Sequence, residues 1–412
     1  MTNTHFRVLI VEPEAAGHHL VYASLLIDAF LSLNWHPVLM TSPLASRSAA
    51  FLRIQEHFGN RIEIIVTDEP PSTRSTTTAS LLWCQFKFWK YLLDSFRKKI
   101  VPVAAVYLIN LDTFDKAFSI LGSPFGRVPV HGMLMHLKYH HRSMGIDGPG
   151  SRSDRIFSIA TERLLAQKRL ASMFVIDPLY VDFINAARKN NRDKVVLAPD
   201  PVVAMPTAEV VSARANLPDI PVDAFVVLIF GALSERKGLA CAIEAVENVK
   251  CARPVVLMVA GDPDRSARAI LESDQAIRLR RSGRLIEILQ YVDQQTEQSL
   301  YRACDVVWVL YPGFYGMSGV LITGHAFQKP VIGSKSGLIA WYLTKHGSGI
   351  TLDPNDINSV TVALEGLALD PERCIALGKA GQASVSENTP LNFVNTIANR
   401  IAKVHELPPQ SA

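Results

Sequence analysis

Two series of short apolar runs, each run followed by a helical pattern, constrain the fold of this chain more than any other feature. The first series comprises Phe6–Val11, Pro37–Met40, Val103–Ile109, Val128–Val130, Met173–Ile176 and Lys194–Leu197. The second comprises Phe225–Phe230, Val255–Val259, Leu285–Leu289, Val306–Val309, Val331–Ile332 and Ile350–Leu352. Alternating strand and helix patterns predict parallel sheets with helices on both faces. The chain is therefore expected to form two doubly wound α/β domains.

A proline-rich stretch separates the two series. The sequence from Ala198 to Val222 contains five prolines and no sustained periodicity, which is typical of a connector. After Pro390 a last amphipathic stretch, Phe393 to Val404, precedes a polar tail. We predict an N-terminal domain over 1–200, a linker over 201–224, a C-terminal domain over 225–388, and a C-terminal helix and tail over 389–412 that packs back toward the N-terminal domain.

Composition excludes several classes of protein. With 48% hydrophobic and 19% charged residues the chain reads as globular, and a net charge of +4 does not favour nucleic acid as a partner. Five scattered cysteines without a C-x-x-C pair fit a reducing cytosol better than a disulfide framework. The N-terminus lacks the pattern of a secretory signal, and the longest apolar stretch, Leu20 to Leu33, is too short to cross a bilayer. A cytoplasmic protein is expected.

The loop after the first strand, Glu12 to His19, could present backbone N–H groups to an anion. It holds a single glycine, Gly17, and so lacks the G-x-G-x-x-G pattern; the second strand also lacks the acidic residue that binds a dinucleotide ribose. A nicotinamide-dependent dehydrogenase is thus disfavoured. Gly17 either allows a ligand close to the backbone or simply forms a tight turn.

The equivalent junction of the second series carries two adjacent cations, Arg236 and Lys237, shortly after Gly231. Cations at a helix start oppose the helix dipole, which favours negative charge there. Their presence is explained if an anion binds between them, since Arg can grip a diphosphate with two hydrogen bonds and Lys adds a point charge. A solvated Arg-Lys pair is the alternative.

This junction, together with Val259-Ala260-Gly261-Asp262 and Tyr291-Val292-Asp293, resembles the second domain of retaining glycosyltransferases of family 4. The resemblance runs through most of 225–380 and is weaker over 1–200. It implies a GT-B fold, in which two Rossmann-like domains face each other across a deep cleft. It also implies that the second domain binds a nucleotide-sugar donor and the first a glycan or lipid-linked acceptor. No cofactor or metal is expected, because the Arg-Lys pair can neutralise the diphosphate and no D-x-D motif is present.

One departure from that family concerns its paired glutamates, which contact the donor sugar and the ribose. Tyr315 and Thr323 stand at the two positions, and neither can act as a carboxylate. What remains is Ser318-Gly319-Val320 ahead of a helical pattern, which could receive a phosphate or form an ordinary N-cap. The loop nearly matches the G-x-S-x-G elbow of hydrolases, but Val320 stands at the last glycine.

Histidines cluster from His131 to His141. His131 is predicted just past a strand end, where open α/β sheets bind ligands, and the resemblance places it near the donor. His136 and His140 have the helical i, i+4 spacing of zinc ligands, although no Glu follows His136. Titratable surface imidazoles are the alternative to zinc.

Leu82 to Ile100 predict a helix in which aromatic and apolar residues alternate with Lys and Arg. Two interpretations stay open: a core-facing helix, or docking on the inner face of an anionic membrane. The second agrees with the 23 basic against 17 acidic residues of 1–200.

We therefore predict a glycosyltransferase of polysaccharide or glycoconjugate synthesis. The predicted catalytic residues are His131, Arg236 and Lys237, and the predicted donor-binding residues are Gly17, Gly231, Tyr291, Tyr315, Ser318, Gly319, Val320 and Thr323. The missing glutamates motivate one alternative, a non-catalytic nucleotide-sugar-binding protein of the same fold. A further alternative is a nucleotide-sugar epimerase on that fold, for which no acid/base carboxylates can be located.

Overall fold

The structure, a computed structural model, divides the chain into two units. Unit 1 comprises Met1–Met144, Pro149–Pro199 and Pro390–Ala412, and unit 2 comprises Gly145–Gly148 and Asp200–Thr389. The residues described are 6–14, 19–73, 77–99, 102–146, 148, 154–187, 190–203, 217 and 220–407. Gly17 and most of the predicted linker, 201–224, lie outside them.

Unit 1 is built on a seven-stranded parallel sheet in the order β3-β2-β1-β4-β5-β6-β7. Its strands are β1 Arg7–Val11, β2 His36–Thr41, β3 Glu63–Val66, β4 Ala105–Leu108, β5 Val130–Leu134, β6 Leu170–Val175 and β7 Val195–Leu197. The central strands read as continuous apolar runs because helices cover both faces of the sheet. The sequence runs predicted every strand except β3, a short edge strand that begins with Glu63 and is only partly buried.

Helices pack on both faces of this sheet. They are α1 His19–Ser32, α2 Ala49–Phe58, α3 Thr78–Lys98, α4 Asp115–Leu121, α5 Asp154–Ala166, α6 Pro178–Ala186 and, from the far end of the chain, α15 Pro390–Val404. The structure places α15 against α1, where the rings of Phe393 and Tyr22 lie 5.1 Å apart.

Unit 2 contains a six-stranded parallel sheet in the order β10-β9-β8-β11-β12-β13. Its strands are β8 Phe225–Phe230, β9 Val255–Ala260, β10 Leu285–Ile288, β11 Val306–Val309, β12 Val331–Ser334 and β13 Gly349–Leu352. All six were predicted from the sequence within a few residues. Two apolar clusters bury the two faces of this sheet.

The helices of unit 2 follow its strands. They are α7 Leu239–Asn248, α8 Arg265–Leu271, α9 Asp274–Arg281, α10 Gln294–Ala303, α11 Gly319–Ala326, α12 Gly337–His346, α13 Ile357–Leu369 and α14 Pro371–Ser384. Asp293, Asp356 and Asp370 each accept a hydrogen bond from a first-turn N–H group, which fixes where α10, α13 and α14 begin.

In each sheet the strand order reverses once, between β1 and β4 in unit 1 and between β8 and β11 in unit 2. Loops leave such a point in opposite directions, which opens a crevice at the carboxyl ends of the two strands. A ligand-binding site is therefore expected among the residues that follow β1, β4, β8 and β11. No helix among the described residues is long and apolar enough to span a membrane.

Candidate functional site

The turn after β8 brings backbone and a lysine amine into close contact. Gly231 has φ +101°, a left-handed conformation that favours glycine, and a side chain there would approach the Nζ atom of Lys237. A Cβ atom on Gly261, after β9, would lie 1.9 Å from the carbonyl oxygen of Gly231. The two turns can pack this closely only because both positions are glycine.

Lys237 is almost completely buried at this turn. Its Nζ atom donates to the carbonyl oxygen of Phe230 and to the hydroxyl of Tyr311, each at 3.0 Å. An ammonium group has three N–H bonds, so one of them is left for a ligand. A buried positive charge is costly without a negative partner, and none of the described residues supplies a salt bridge to it.

Arg236 lies beside Lys237 but is exposed, with its guanidinium over the rings of Phe314 at 4.9 Å and Tyr311 at 5.5 Å. Stacking holds its plane while its N–H groups stay accessible. The predicted helix start is wrong in one detail: Glu235–Lys237 form a 3-10 turn, and α7 begins only at Leu239, after Gly238 at φ +69°. The cations therefore precede the helix.

The start of α11 is a second place for an anion in unit 2. Ser318 is the N-cap residue, as the sequence suggested, but its side chain makes no capping hydrogen bond. The first N–H groups of α11, those of Gly319 and Val320, have no partner within the helix. The carboxylate of Asp200 lies 3.8 Å from where a Cβ of Gly319 would be, so a negative group already stands close to this helix end.

The remaining predicted donor residues differ in exposure. Tyr291 lies in the loop after β10 with 65% of its surface exposed. Tyr315 is partly buried, and its backbone lies so close to Gly337 that no side chain fits at that glycine. Thr323 is partly buried on α11, with its side chain beside the phenol of Tyr301.

Unit 1 carries a carboxylate–imidazole pair directly after β1. The carboxylate of Glu12, which is completely buried, lies 3.3 Å from the Nδ1 atom of His19. Burial raises the pKa of Glu12, and it outweighs the opposing hydrogen bond to His19. Burial lowers the pKa of His19, but its hydrogen bond and attraction to Glu12 prevail and raise it. The pKa values of both members of the pair are therefore raised.

A second such pair follows β4 and β5. Asp112 accepts backbone hydrogen bonds from Met135 at 2.7 Å and His136 at 3.0 Å, and its Oδ2 atom lies 3.5 Å from the Nδ1 atom of His136. The imidazole of His136 is well exposed, and Asp112 raises its pKa. Burial alone would raise the pKa of Asp112, but its hydrogen bonds with His136 and Met135 and nearby positive charge lower it. The His19 and Asp112 charges also interact, which places both pairs in one group.

The predicted position of His131 is wrong. It lies inside β5, completely buried, with its Nε2 atom 3.2 Å from that of His405 beyond α15. Burial and the nearby charges of His405 and Arg400 lower its pKa to about 3, so it stays neutral in water near pH 7. A core imidazole of this kind does not reach a donor sugar, and we assign it no contact with one.

The predicted pairing of His136 with His140 is also wrong, because no helix joins them. His140 and His141 instead both place an Nε2 atom 2.9 Å from the same carboxylate oxygen of Asp177. Two groups among the described residues have the donor atoms for a metal ion: His140, His141 and Asp177, and Glu12, Glu14 and His19. In the first group Asp177 accepts from both imidazoles and from the N–H of Leu179, whereas the buried Nδ1 atom of His140 has no hydrogen-bond partner among the described residues.

Neither predicted interpretation of the basic helix is complete. In α3 the buried stripe contains Phe88 and Leu92, whereas Leu82, Trp83 and Phe86 are exposed. The rings of Trp83 and Phe86 stack with centroids 5.6 Å apart, and Lys87 lies over Trp83. The helix is therefore packed into unit 1 by one face and presents aromatic and basic side chains on another.

Glu12, His19 and Asp112 were not predicted as site residues. The signal was present, since Glu12 follows β1 directly and Asp112 follows β4 by four residues. However, the loop of Glu12 lacks the glycine pattern of a nucleotide-binding turn, and Asp112 belongs to no motif. The two strands become neighbours only through the sheet order, which a linear pattern does not reveal.

Part of this chain is similar to a known protein family and to a curated relative. Residues 224–370 match the family described as glycosyl transferases group 1. The lipopolysaccharide core biosynthesis glycosyltransferase LpsD of Rhizobium meliloti (strain 1021) is 26% identical over 159 residues. That stretch spans 39% of this chain and 43% of the length of LpsD.

Solved structures match over nearly the whole chain. Anabaena Alr3699/HepE, determined in complex with UDP, superposes with a TM-score of 0.66 at 15% identity and covers 97% of this chain and 100% of its own. Sucrose-phosphate synthase from Thermosynechococcus elongatus superposes with a TM-score of 0.68 at 17% identity and covers 98% and 100%. The α/β GT-B fold predicted from the sequence is thus confirmed.

Proposed function

We propose that this chain, whose unit 2 carries a group 1 glycosyl transferase domain, is a glycosyltransferase that moves a sugar from a nucleotide-diphosphate donor to a glycan or lipid-linked acceptor. The observation that carries the proposal is the buried amine of Lys237, held at the Gly231 turn without a negative partner among the described residues. A diphosphate supplies that partner. The resemblance to LpsD favours a role in lipopolysaccharide or related glycan synthesis.

In the proposed reaction the bond between the anomeric carbon of the sugar and a diphosphate oxygen breaks, and a bond to an acceptor hydroxyl oxygen forms. Negative charge grows on the departing diphosphate. Lys237 and Arg236 stabilise that charge. Hydrogen-bond donors that the fold already holds where negative charge develops supply a large share of catalysis. Transfer with retention rests on the resemblance to family 4.

The acceptor hydroxyl loses its proton during transfer. In unit 1, the carboxylate–imidazole pairs Glu12–His19 and Asp112–His136 stand at the carboxyl ends of the central strands, where they can hydrogen-bond a polyhydroxyl acceptor. The pKa values of Glu12, His19 and His136 are all raised, and perturbed pKa values are common among groups that exchange protons with a substrate. No metal ion is needed for either role.

A second candidate function is nucleotide-sugar binding without transfer. Tyr315 and Thr323 favour it, because they stand where the resembled family has its two glutamates. The epimerase alternative now has candidate acid/base carboxylates in Glu12 and Asp112.

The test is release of nucleotide from a panel of UDP-, GDP-, ADP- and dTDP-sugars by the full chain, with nucleotide binding followed in parallel. We expect slow hydrolysis of one donor, reduced at least tenfold in Arg236→Ala and at least a hundredfold in Lys237→Met, which keeps most of the buried stem. Arg373→Ala, on the exposed face of α14, is the matched control. Tight binding without release, even with glycan or lipid extracts as acceptors, would support the non-catalytic function instead.

An anionic membrane on the cytoplasmic side is the proposed partner of unit 1. The exposed Trp83 and Phe86 of α3, together with Lys87 and Lys90, form a surface with the aromatic and basic composition that favours a lipid interface. Such docking would bring the enzyme to a lipid-linked acceptor.

A further inference from the structure

Glu297 lies in the first turn of α10, at the carboxyl edge of the sheet of unit 2. Its residue is only partly exposed, and its carboxylate has no hydrogen-bond or ion-pair partner among the described residues. The helix does not need it as a cap, because Asp293 already accepts the hydrogen bond from the N–H of Thr296 at 2.8 Å. A desolvated carboxylate without a partner is unfavourable and calls for an explanation.

A second unsatisfied polar atom lies next to it. The hydroxyl of Tyr301, one turn further along α10, is completely buried and makes no hydrogen bond of normal geometry. The charge of Glu297 and the side chain of Thr323 both act on this phenol. Three polar groups from α10 and α11 therefore lie close together, and neither Glu297 nor Thr323 makes a hydrogen bond of normal geometry to the buried hydroxyl of Tyr301.

These polar groups are adjacent to the turn from Gly231 to Lys237, the proposed diphosphate cradle. The ring of Tyr301 packs against that of Phe230, with centroids 5.5 Å apart. The carbonyl oxygen of the same Phe230 accepts the hydrogen bond from the Nζ atom of Lys237. Phe230 thus contacts both Lys237 and Tyr301, which makes the polar groups on α10 and α11 candidates to meet the nucleoside of a ligand whose diphosphate binds Lys237.

We propose that Glu297 binds the nucleoside of the donor by accepting hydrogen bonds from two adjacent donor groups on it, with the Thr323 side chain alongside. This inference rests on the proposed donor-binding function of unit 2. Two parts of a nucleoside offer such adjacent donors: the ribose 2′,3′-diol and the N–H edge of guanine. A carboxylate accepts from either with both oxygens.

Burial gives the inference a second, independent consequence. Desolvation raises the pKa of Glu297 to about 7, so the folded protein pays for ionising this group when no ligand is bound. A residue kept for stability would not carry that cost. Replacing the carboxyl should therefore stabilise the unliganded protein while it weakens nucleotide binding.

The experiment uses the full chain and isothermal titration with UDP, GDP, ADP and dTDP at pH 8. The tightest ribonucleotide is then compared with its 2′-deoxy form and GDP with IDP, whereas dTDP already lacks the 2′-hydroxyl. We expect Glu297→Gln to bind that ligand about tenfold more weakly and Glu297→Leu thirtyfold or more. Without ligand, both variants should unfold a few degrees higher than the wild type. Glu372→Gln, on the exposed first turn of α14, should match the wild type in both measurements.

The analogues identify which part of the nucleoside is bound. If Glu297 holds the ribose, removing the 2′-hydroxyl should weaken binding to the wild type but not to Glu297→Gln. If it holds guanine, IDP should show that pattern instead. Variants that bind every nucleotide as tightly as the wild type would overturn this inference and leave the donor-binding proposal standing. A wild-type chain that binds no nucleotide would overturn both.

Discussion

Close packing of two turns at Gly261 leaves no room for a side chain. This allows a sharp test of the cradle, the turn from Gly231 to Lys237 that is proposed to bind the diphosphate. A Cβ atom there would lie 1.9 Å from the carbonyl oxygen of Gly231, and the residue has φ +140°. We expect Gly261→Ala to lower the free energy of unfolding by at least about 3 kcal/mol and to abolish nucleotide binding. Gly283→Ala is the control, since Gly283 has φ +70° but open space around its Cβ position, and it should cost only about 1–2 kcal/mol. Equal effects in chemical denaturation would contradict the close approach.

The ionisation of Glu297 predicts a pH dependence of stability. Its pKa is about 7 in the folded protein against 4.5 for an ordinary Glu, so between these values the folded state binds more protons than the unfolded state. The contribution of this group to the free energy of unfolding therefore falls as pH rises from about 4.5 to 7, by about 3 kcal/mol. In Glu297→Gln this fall should be missing. Parallel urea denaturation series of the two proteins at pH 5 and pH 8 measure the difference, and identical pH profiles would show that the carboxyl is not desolvated.

Among the elements, α3 has a buried face that packs into unit 1 and an exposed aromatic and basic face, and each can be changed separately. Phe88 is almost completely buried, so Phe88→Ala should lower the free energy of unfolding by about 3–5 kcal/mol. Trp83 and Phe86 are exposed, so Trp83→Ser with Phe86→Ser should leave stability unchanged and reduce binding to phosphatidylserine vesicles at least fivefold. Leu369→Ser, an exposed apolar change on α13, is the vesicle control. Vesicle binding is measured by co-sedimentation. If the wild type, the Trp83→Ser/Phe86→Ser double variant and Leu369→Ser co-sediment with the vesicles equally, this face of α3 is not the membrane contact.

Strands were easier to predict than the residues they carry, and β5 shows why. A strand buried on both faces reads as an apolar run, so its existence is visible, but no alternation marks where it ends. His131 was expected beyond the strand because it is polar. It lies within β5, where its buried imidazole contacts that of His405, 274 residues away in the sequence. The turn from Gly231 to Lys237 could be predicted because its residues are local in sequence, and its role in binding a diphosphate stays a prediction. The Glu12, Asp112 and Glu297 groups could not be predicted, because each depends on elements that meet only in the fold.

At the scale of the whole molecule, the chain leaves unit 1 after Pro199, completes unit 2, and returns to unit 1 at Pro390. Phe393, Ile397 and Ile401 of α15 are completely buried in the core cluster that also contains α1. Unit 1 is therefore assembled from sequence at both ends of the chain, whereas nearly all of unit 2 is continuous. The proposed donor residues within the described part of the chain, from Gly231 to Thr323, all belong to unit 2, whereas Gly17, also predicted to bind the donor, belongs to unit 1 and lies outside the described residues.

This division predicts that the stability of unit 1 and nucleotide binding can be separated. Ile397→Ala removes a buried side chain between α15 and the rest of unit 1, and should lower the stability of that unit by about 2–5 kcal/mol. Deleting 390–412 removes the whole apolar face and should leave unit 1 sensitive to protease. Both proteins should still bind nucleotide with wild-type affinity, because the cradle at Lys237 and the carboxyl of Glu297 are untouched. Limited proteolysis with and without nucleotide, followed by mass spectrometry, would show a protected fragment beginning near Asp200. Protection of both units together, or loss of nucleotide binding with α15, would contradict the assignment of the donor site to unit 2 alone.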